Sequence, residues 1–506
     1  MTKDIEAPPP AGSAPPRPSI RHPDLTGTPH MTPDPTPLLR TEGARFVDGS
    51  GATVRLRGTA VGGWLNMENF ITGYAANEAL MRSTVRAVLG DQRYEAFFER
   101  LLTAFFNEDD ARLLAGAGLN CVRLPVNYRH FEDDRRPFEL RSDGFRHLDR
   151  AVAACAAHGI YTVIDLHALP GAQNHHWHSD NYTHRPAFWD HPHFQDRVVA
   201  LWEAIADHYK DDPWVAGYNL VNEPADESRE VVGPFYRRLV AAVRAVDPRH
   251  ILFLDGNTYS TEFDIFDEPR GTYDATYAGT FDGYGENTVY VCHDYAAPGL
   301  GRGGDYPGTT DGRYYGKTEL REKYAERTAY SRQTGTPVWV GEFGPVYTGD
   351  PRVDAMRAEL LDDQLDIYRG DGASWSIWMY KDLGRQGLTA VNADTPYRRR
   401  FDAFVAKKNR LGADNWGSDG MGIAEVTRPF QDMMAREFPG FDPYPWGRFD
   451  WVRTLILNLT VAQPLAYEYA ELFRGLGEAD LMALADSFAL ANCTPRAGLL
   501  EQLRKG

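Results

Sequence analysis

The chain of 506 residues has only 4 cysteines, Cys121, Cys155, Cys292 and Cys493, and no two of them form a CxxC pair. That scatter offers neither a zinc ribbon nor a disulfide framework, and it fits a reducing compartment. No apolar run approaches the ~18–20 residues that a membrane-spanning helix requires. The first residues, MTKDIEAPPPAGSAPPRPSI, lack the apolar core of a secretory signal, so a cytoplasmic location is expected. Cations are in deficit, 54 Lys and Arg against 71 Asp and Glu, for a net charge of −17. Nucleic acid is therefore not an expected partner, since phosphate binding draws on an excess of Lys and Arg. The same balance gives no support for docking on an anionic membrane. No Gly-rich phosphate loop follows an early strand, which removes the main signature of a doubly wound nucleotide-binding sheet.

What is present is apolar material for a large core, 42% of residues, and an aromatic fraction of 12% that includes 11 Trp and 26 Tyr. Residues 1–37 hold 11 of the 33 prolines and few apolar side chains, so a disordered or extended tail is expected there. From Arg45 to Arg57 two short β-like runs flank Asp48-Gly49-Ser50-Gly51, the pattern of a hairpin. Eight apolar strand candidates follow: 54–62, 120–125, 161–167, 215–222, 251–255, 288–293, 337–342 and 374–379. Helix-period stretches lie between them, at 109–117, 145–158, 194–209, 232–246, 318–334 and 354–368. Short, fully apolar strands alternating with helices imply a parallel sheet covered on its faces, and eight such units imply an α/β chain folded as a (β/α)₈ barrel. The expected organisation is a tail over 1–37, a catalytic barrel with its hairpin over 38–398, and a helical extension over 399–506, in which 450–473 and 478–490 carry helix-period apolar residues. Those last helices suit packing on the barrel or on a second copy, and the sequence leaves both open.

In such a barrel the chemistry sits at the C-terminal strand ends. The eight candidates end in or lead to Glu68, Arg123, His167, Asn222-Glu223, His293-Asp294-Tyr295, Glu342 and Trp378. A carboxylate ending a buried strand is costly to desolvate, so Glu223 and Glu342 call for a function. Two acids facing one another suit cleavage of a glycosidic bond, one donating a proton and the other attacking the anomeric carbon. Asn222 is placed to hold a sugar 2-hydroxyl, and Arg123 and Tyr295 to keep a nucleophile ionised. Seven of the 15 histidines fall between His167 and His193. Among them His175, His176 and His178 lack the i, i+4 spacing of a helical zinc pair, so sugar contacts are expected there and no metal. Trp64 and Trp177 suit stacking against a sugar ring. Cys292 reads as an inert buried thiol.

The ordered motifs GGWLNMEN (62–69), LNCVRLPV (119–126), DLHALPG (165–171), NLVNEP (219–224), HDY (293–295), VGEFG (340–344) and WSIWMY (375–380) resemble glycoside hydrolase family 5 across residues 45–385. The nearest likeness within it is to the fungal exo-β-1,3-glucanase and β-glucosidase group. The resemblance implies Glu223 as acid/base and Glu342 as nucleophile of a retaining, double-displacement glycosidase. It also implies Arg123, His167, Asn222, His293, Tyr295 and Trp378 around the −1 sugar, with Glu68 on hydroxyls of a terminal sugar. The chain departs from that group after Gln173-Asn174, where it reads His175-His176-Trp177-His178-Ser179-Asp180. That departure leaves the identity of the sugar open and the reaction type intact, and Trp177 and His178 are expected to contact the substrate.

The expected activity is exo-acting hydrolysis of β-glucoside-type oligosaccharides or small glycosides, without a cofactor. Transglycosylation, a β-galactoside, β-mannoside or pentofuranoside substrate, and a non-catalytic sugar-binding barrel are the alternatives. The exo expectation rests on the missing secretory signal, on Glu68 as a holder of terminal-sugar hydroxyls, and on the long segments 66–109 and 169–193, placed to wall off one side of the sugar site.

Overall fold

The computed structural model of the chain describes residues 38–266, 284–299, 304–310, 312–413, 423–445 and 447–506. The expected Pro-rich tail, 1–37, lies outside the described residues. Eight strands close into a parallel barrel: β1 (Arg57–Ala60), β2 (Cys121–Asn127), β3 (Tyr161–Ala168), β4 (Val215–Asn219), β5 (Ile251–Asp255), β6 (Thr288–His293), β7 (Val338–Glu342) and β8 (Ser374–Ile377). Each pairs with its sequence neighbour, and β8 closes on β1 through Trp375↔Arg57 and Ile377↔Thr59. The fold is thus a (β/α)₈ barrel. The first strand is shorter than expected. Thr53 and Val54 belong instead to a three-stranded antiparallel sheet with Arg40–Glu42 and Arg45–Val47.

Strand side chains alternate between the two faces of a sheet, so every second residue points inward. Along the interior, Cys121, Tyr161, Val163, Ile251, Phe253, Val289, Val291 and Trp339 form an apolar plug. Phe46 from the N-terminal sheet caps it from below, its ring 6.2 Å from that of Phe253. Continuing the alternation upward by two residues at a time reaches Arg123, Asp165 and His167, Asp255, and His293. One stripe therefore changes from apolar to charged toward the C-terminal end.

Outside the barrel stand α1 (Glu78–Leu89), α2 (Asp91–Phe105), α3 (Glu108–Gly116), α4 (Arg146–Ala156), α5 (Pro192–Tyr209), α6 (Val232–Val246), α7 (Lys317–Arg327) and α8 (Pro351–Asp371). Helix starts follow local chemistry. Asn107 makes a capping box at α3, and Pro351 opens α8 behind the Asp350 cap. The helices α1 and α2 occupy the segment 66–109, where no helix was expected.

The expected helical extension comprises α9 (Pro396–Arg410), α10 (Ala424–Glu437), α11 (Ala462–Glu471), α12 (Glu478–Asp486) and α13 (Ala497–Lys505). It packs on its own barrel: α11 lies on α1 and α12 on α2. Leu465, Tyr469, Phe473 and Leu481 share one core with Phe97, Phe98 and Phe105. Three ties reinforce the joint. Lys381, fully buried after β8, donates to Phe105 O at 2.7 Å, Asp110 Oδ1 at 2.8 Å and Phe488 O at 2.8 Å. Lys408 donates to the carbonyls of Asn69 and Tyr74, and the Tyr397 hydroxyl to that of Thr72. Among the described residues no helix is long and apolar enough to cross a membrane. All four cysteines are buried and unpaired, and burial pushes the Cys292 thiol up.

Candidate active site

The charged end of the interior stripe is one continuous hydrogen-bonded network. Arg123 is fully buried at its centre. Its Nη1 donates to Glu342 Oε1 at 2.6 Å, its Nη2 to Asn222 Oδ1 at 2.6 Å, and its Nε to Asn219 Oδ1 at 3.1 Å. Asp165 Oδ2 lies 3.1 Å from Nη2 and 2.7 Å from His167 Nδ1. Asn219 passes the chain on, donating to Asp255 Oδ1 at 2.7 Å. Planar, always charged guanidinium suits this task, because its fork can hold several oxygens in fixed directions.

Glu223 follows β4 with φ of +46°, a left-handed conformation that non-glycine residues rarely adopt and that costs free energy unless neighbours hold it. Two bonds do so here. Its N–H donates to Asp255 Oδ2 at 2.9 Å, and its carbonyl accepts from Asn174 Nδ2 at 2.9 Å. The carboxyl is thereby turned inward, where Oε1 meets His293 Nδ1 at 2.6 Å and Oε2 lies 3.2 Å from His178 Nε2. Glu342 ends β7, and its second oxygen accepts from the Tyr295 hydroxyl at 2.9 Å. One oxygen of Glu223, one of Glu342 and a ring nitrogen of His293 lie within 4.8 Å of one another.

The two carboxyls are pushed apart in acidity. Burial raises Glu223, and the His293 contact offsets only part of that, so its carboxyl is held above the usual range. Burial acts on Glu342 in the same direction, but His293 and Arg123 outweigh it and hold that carboxyl below the usual range. Burial works against a charge on His293, yet Glu342 and Glu223 outweigh it and the ring is pushed up. Asp165 is pushed up to about 7 by burial and by the Glu342 charge, against the pull of Arg123. Burial, helped by Arg123 and His293 and opposed by Glu342, keeps His167 well below its ordinary value. A pair of acids tuned in opposite directions is the arrangement of a proton donor beside an ionised partner. The three donors Glu223, His293 and Glu342 could together face a cation. The chemistry of the set argues otherwise, because Glu342 already receives a guanidinium and a phenol.

The structure brings nearly all the expected residues together. Glu68 Oε1 stands 3.6 Å from His167 Nε2. Trp378 stacks on His167 with ring centroids 5.5 Å apart and planes 6° from parallel. Asn222 Nδ2 lies 3.4 Å from the same His167 ring. The segments after β1 and β3 meet on one side. Asn66 Nδ2 donates to the His178 carbonyl, while Asp180 Oδ1 accepts from Asn77 Nδ2 and Ala79 N.

Two expectations are corrected. Trp64 is fully buried and donates its indole N–H to Leu102 O at 2.7 Å, so it is core and cannot stack on a sugar. Trp177 is 6% exposed and packs with Ala76, Ala462 and Ala466, joining the extension to the loop after β3. Asn174, Asn219 and Asp255 were not anticipated as parts of the site. Asp165 and Asp255 carry a legible signal, since each is a carboxylate on the inward face of an apolar strand. Asn174 and Asn219 carry none that distinguishes them from ordinary polar residues.

The family model described as Cellulase (glycosyl hydrolase family 5) matches residues 95–384. A beta-xylosidase of Phanerodontia chrysosporium is 44% identical over 473 residues, covering 91% of this chain and 96% of that protein. A probable glucan 1,3-beta-glucosidase A of Aspergillus fumigatus is 28% identical over 357 residues, covering 66% of this chain and 84% of that protein. With a family match across more than half of its length and a relative alike nearly end to end, the chain belongs to glycoside hydrolase family 5 and is a glycoside hydrolase.

Proposed function

We propose that this chain is a retaining, exo-acting β-glycosidase that releases a terminal sugar by double displacement, with a β-xyloside as the first substrate to test. The observation that carries the mechanism is the Glu223–Glu342 pair, oxygens within 4.8 Å and acidities pushed in opposite directions. Retaining pairs stand about 5–5.5 Å apart, whereas inverting pairs leave ~6.5–9.5 Å for a water. In this reading Glu342, ionised beside Arg123 and Tyr295, attacks the anomeric carbon. Glu223, kept neutral by burial, gives its proton to the leaving oxygen. In the second half Glu223 takes a proton from water, which displaces the sugar from Glu342. His167 and Trp378 form a flat wall for the sugar ring, and Asn222 stands beside the nucleophile's guanidinium, placed for the 2-hydroxyl.

Two further observations support exo action. Glu68 presents a carboxylate from the loop after β1, suited to hydroxyls of a chain end. The loops after β1 and β3 are laced together through Asp180, an arrangement suited to walling the site on one side. The choice of sugar is supported by the relative that resembles the chain over almost its whole length and is named a beta-xylosidase. A β-glucoside is the second reading, favoured by the relatives named glucan 1,3-beta-glucosidase.

The test is kinetic. Nitrophenyl β-xyloside and β-glucoside, with xylo- and gluco-oligosaccharides, should release single sugars of retained configuration. Glu342→Ala should abolish turnover and regain part of it with azide, which fills the vacated nucleophile position. Glu223→Gln should spare activated aryl glycosides relative to poor leaving groups, because only the latter need the proton. Equal losses on both, or an inverted product, would overturn the assignment.

A further inference from the structure

Tyr295, which donates to the Glu342 carboxylate, lies beyond the last residue of β6, so the barrel ladder does not hold it. The β6–β7 pairing ends irregularly. Cys292 pairs with Val340 and His293 with Glu342, so that Gly341 is skipped, and the Asp294 N–H donates to the Glu342 carbonyl at 2.8 Å. There the chain turns out of the sheet, and buried backbone carbonyls still call for partners. Side chains of α7 and α8 supply them in succession. Arg327 Nη1 donates to the His293 carbonyl, Gln364 Nε2 to that of Asp294 at 2.9 Å, and Lys323 Nζ to that of Tyr295 at 3.2 Å.

Asp294 is the middle residue of this clamp, and it is buried. Successive residues of an extended chain point to opposite sides. His293 and Tyr295 face the two catalytic acids, while Asp294 faces the helices. Its Oδ2 accepts from the Tyr368 hydroxyl at 2.7 Å and its Oδ1 from Arg327 Nη1 at 3.3 Å. Sequence spacing makes this possible. Lys323 and Arg327 stand four apart in α7, Gln364 and Tyr368 four apart in α8, so each pair shares one face of its helix. Lys317 ties the two helices together through Asp363 at 3.0 Å and Asp366 at 2.7 Å. The amide, the carbonyl and both carboxylate oxygens of Asp294 are thus engaged by the frame.

We infer that Asp294 is a positioning residue for the nucleophile: locked to α7 and α8, it sets the turn so that the Tyr295 hydroxyl meets Glu342 Oε2. The inference rests on the proposed role of Glu342 only for its kinetic consequence. A hydrogen bond to the charged form of a carboxyl favours that form. If the turn drifts, that bond lengthens, and the Glu342 carboxyl, on which burial already pushes upward, rises. Other charged and titratable groups face the two residues. Asp294 meets Cys292 on β6, Lys323 and Arg327 on α7, and Tyr368 on α8. Glu342 meets His293, Arg123, His167, Glu223 and Asp165. Tyr368→Phe leaves all the groups around Glu342 in place.

The experiment is an infrared titration of the full chain without substrate, the Glu342 band being identified by its absence in Glu342→Gln. Tyr368→Phe keeps the ring against Phe343 and Tyr324 and removes only the donor to Asp294. Its Glu342 midpoint should rise by roughly half a pH unit, and that of Asp294→Ala by more. Asp294→Asn, whose amide can accept from Arg327 and donate to the Tyr368 oxygen, should bring the midpoint back toward that of the wild type. In a Tyr295→Phe background, Tyr368→Phe should move it much less, because the bond through which Asp294 acts is gone. In parallel, the acid limb of kcat/KM on an aryl glycoside should move to higher pH in Tyr368→Phe, with a loss of roughly two- to tenfold. A midpoint that Tyr368→Phe leaves unmoved, or shifts equally with and without the Tyr295 hydroxyl, overturns the inference. A wild type that cleaves no β-glycoside while the midpoints move as stated overturns the proposed function and leaves the Asp294–Tyr295 coupling standing.

Discussion

Replacing Arg123 with lysine keeps a positive charge in the barrel but removes the fork. The guanidinium serves Glu342 from Nη1, Asn222 and Asp165 from Nη2, and Asn219 from Nε. An ammonium offers its donors from a single point and cannot stand within hydrogen-bond reach of all four. If the 2.6 Å bond to Glu342 is the one surrendered, the loss is one charge-assisted hydrogen bond, worth about 1.5–3 kcal/mol. At ~1.4 kcal/mol per factor of ten, kcat/KM should fall roughly ten- to a hundredfold. The loss has a signature in pH. Arg123 is one of the groups that hold the Glu342 carboxyl below its usual range against burial. Weakening it lets burial act, the carboxyl rises, and the acid limb of the kcat/KM profile moves to higher pH. Part of the lost activity should return as the pH is raised. The assay is a pH series on an aryl glycoside, wild type against Arg123→Lys. A uniform loss with an unmoved acid limb would refute the claim that Arg123 controls the charge of Glu342.

Three further outcomes follow from other parts of the molecule. Lys381→Met should destabilise by about 3–5 kcal/mol in denaturant unfolding, because it strands the Asp110 carboxylate in a site that solvent does not reach. Gly62→Ala should cost on the order of 10²-fold in kcat/KM and also lower the melting temperature, since a Cβ there would lie 2.6 Å from Trp378 Cη2, overpack the core and push the ring off its His167 partner. Asp247→Asn should destabilise near neutral pH and much less in acid. Burial raises the Asp247 carboxyl, but hydrogen bonds led by His250 outweigh it and bring it down to about 2. The folded value is below the unfolded one, so the stabilisation is complete above pH ~4 and fades as the pH falls toward 2. Equal destabilisation of Asp247→Asn at both ends would contradict that.

The eight barrel strands were legible because each is a short apolar run bounded by turns, and the barrel's chemistry gathers where those runs end. Glu223 and Glu342 stood out as carboxylates where an apolar strand should have had none. What stayed hidden has a common cause. Trp64 and Trp177 look alike in sequence, and neither is a free stacking surface: Phe106 and the Leu102 carbonyl surround the first, and alanines from nearly three hundred residues further on cover the second. Such partners are set by tertiary packing, which local pattern does not encode. The Asn174 amide is the same case, since its two backbone partners and the His178 ring meet only once the loop after β3 has folded against the turn after β4. The helices α1 and α2 are a different case. Tyr94, Phe97, Phe98, Leu101, Leu102 and Phe105 recur at helical spacing on one face of α2, a stripe that is legible in the sequence itself.

The buried ammonium of Lys408 has a bearing on synthesis. It fixes the carbonyls at both ends of the short turn that follows Glu68, and Tyr397 fixes a third within it. Those anchors are translated more than three hundred residues after the turn they hold, and the helices that bury them come later still. A nascent chain can therefore complete all eight strands before the rim beside Glu68 receives these three ties. A messenger truncated after β8 encodes a barrel with every acid in place and that rim held only by nearer contacts, such as the Tyr74 hydroxyl on the Met67 carbonyl.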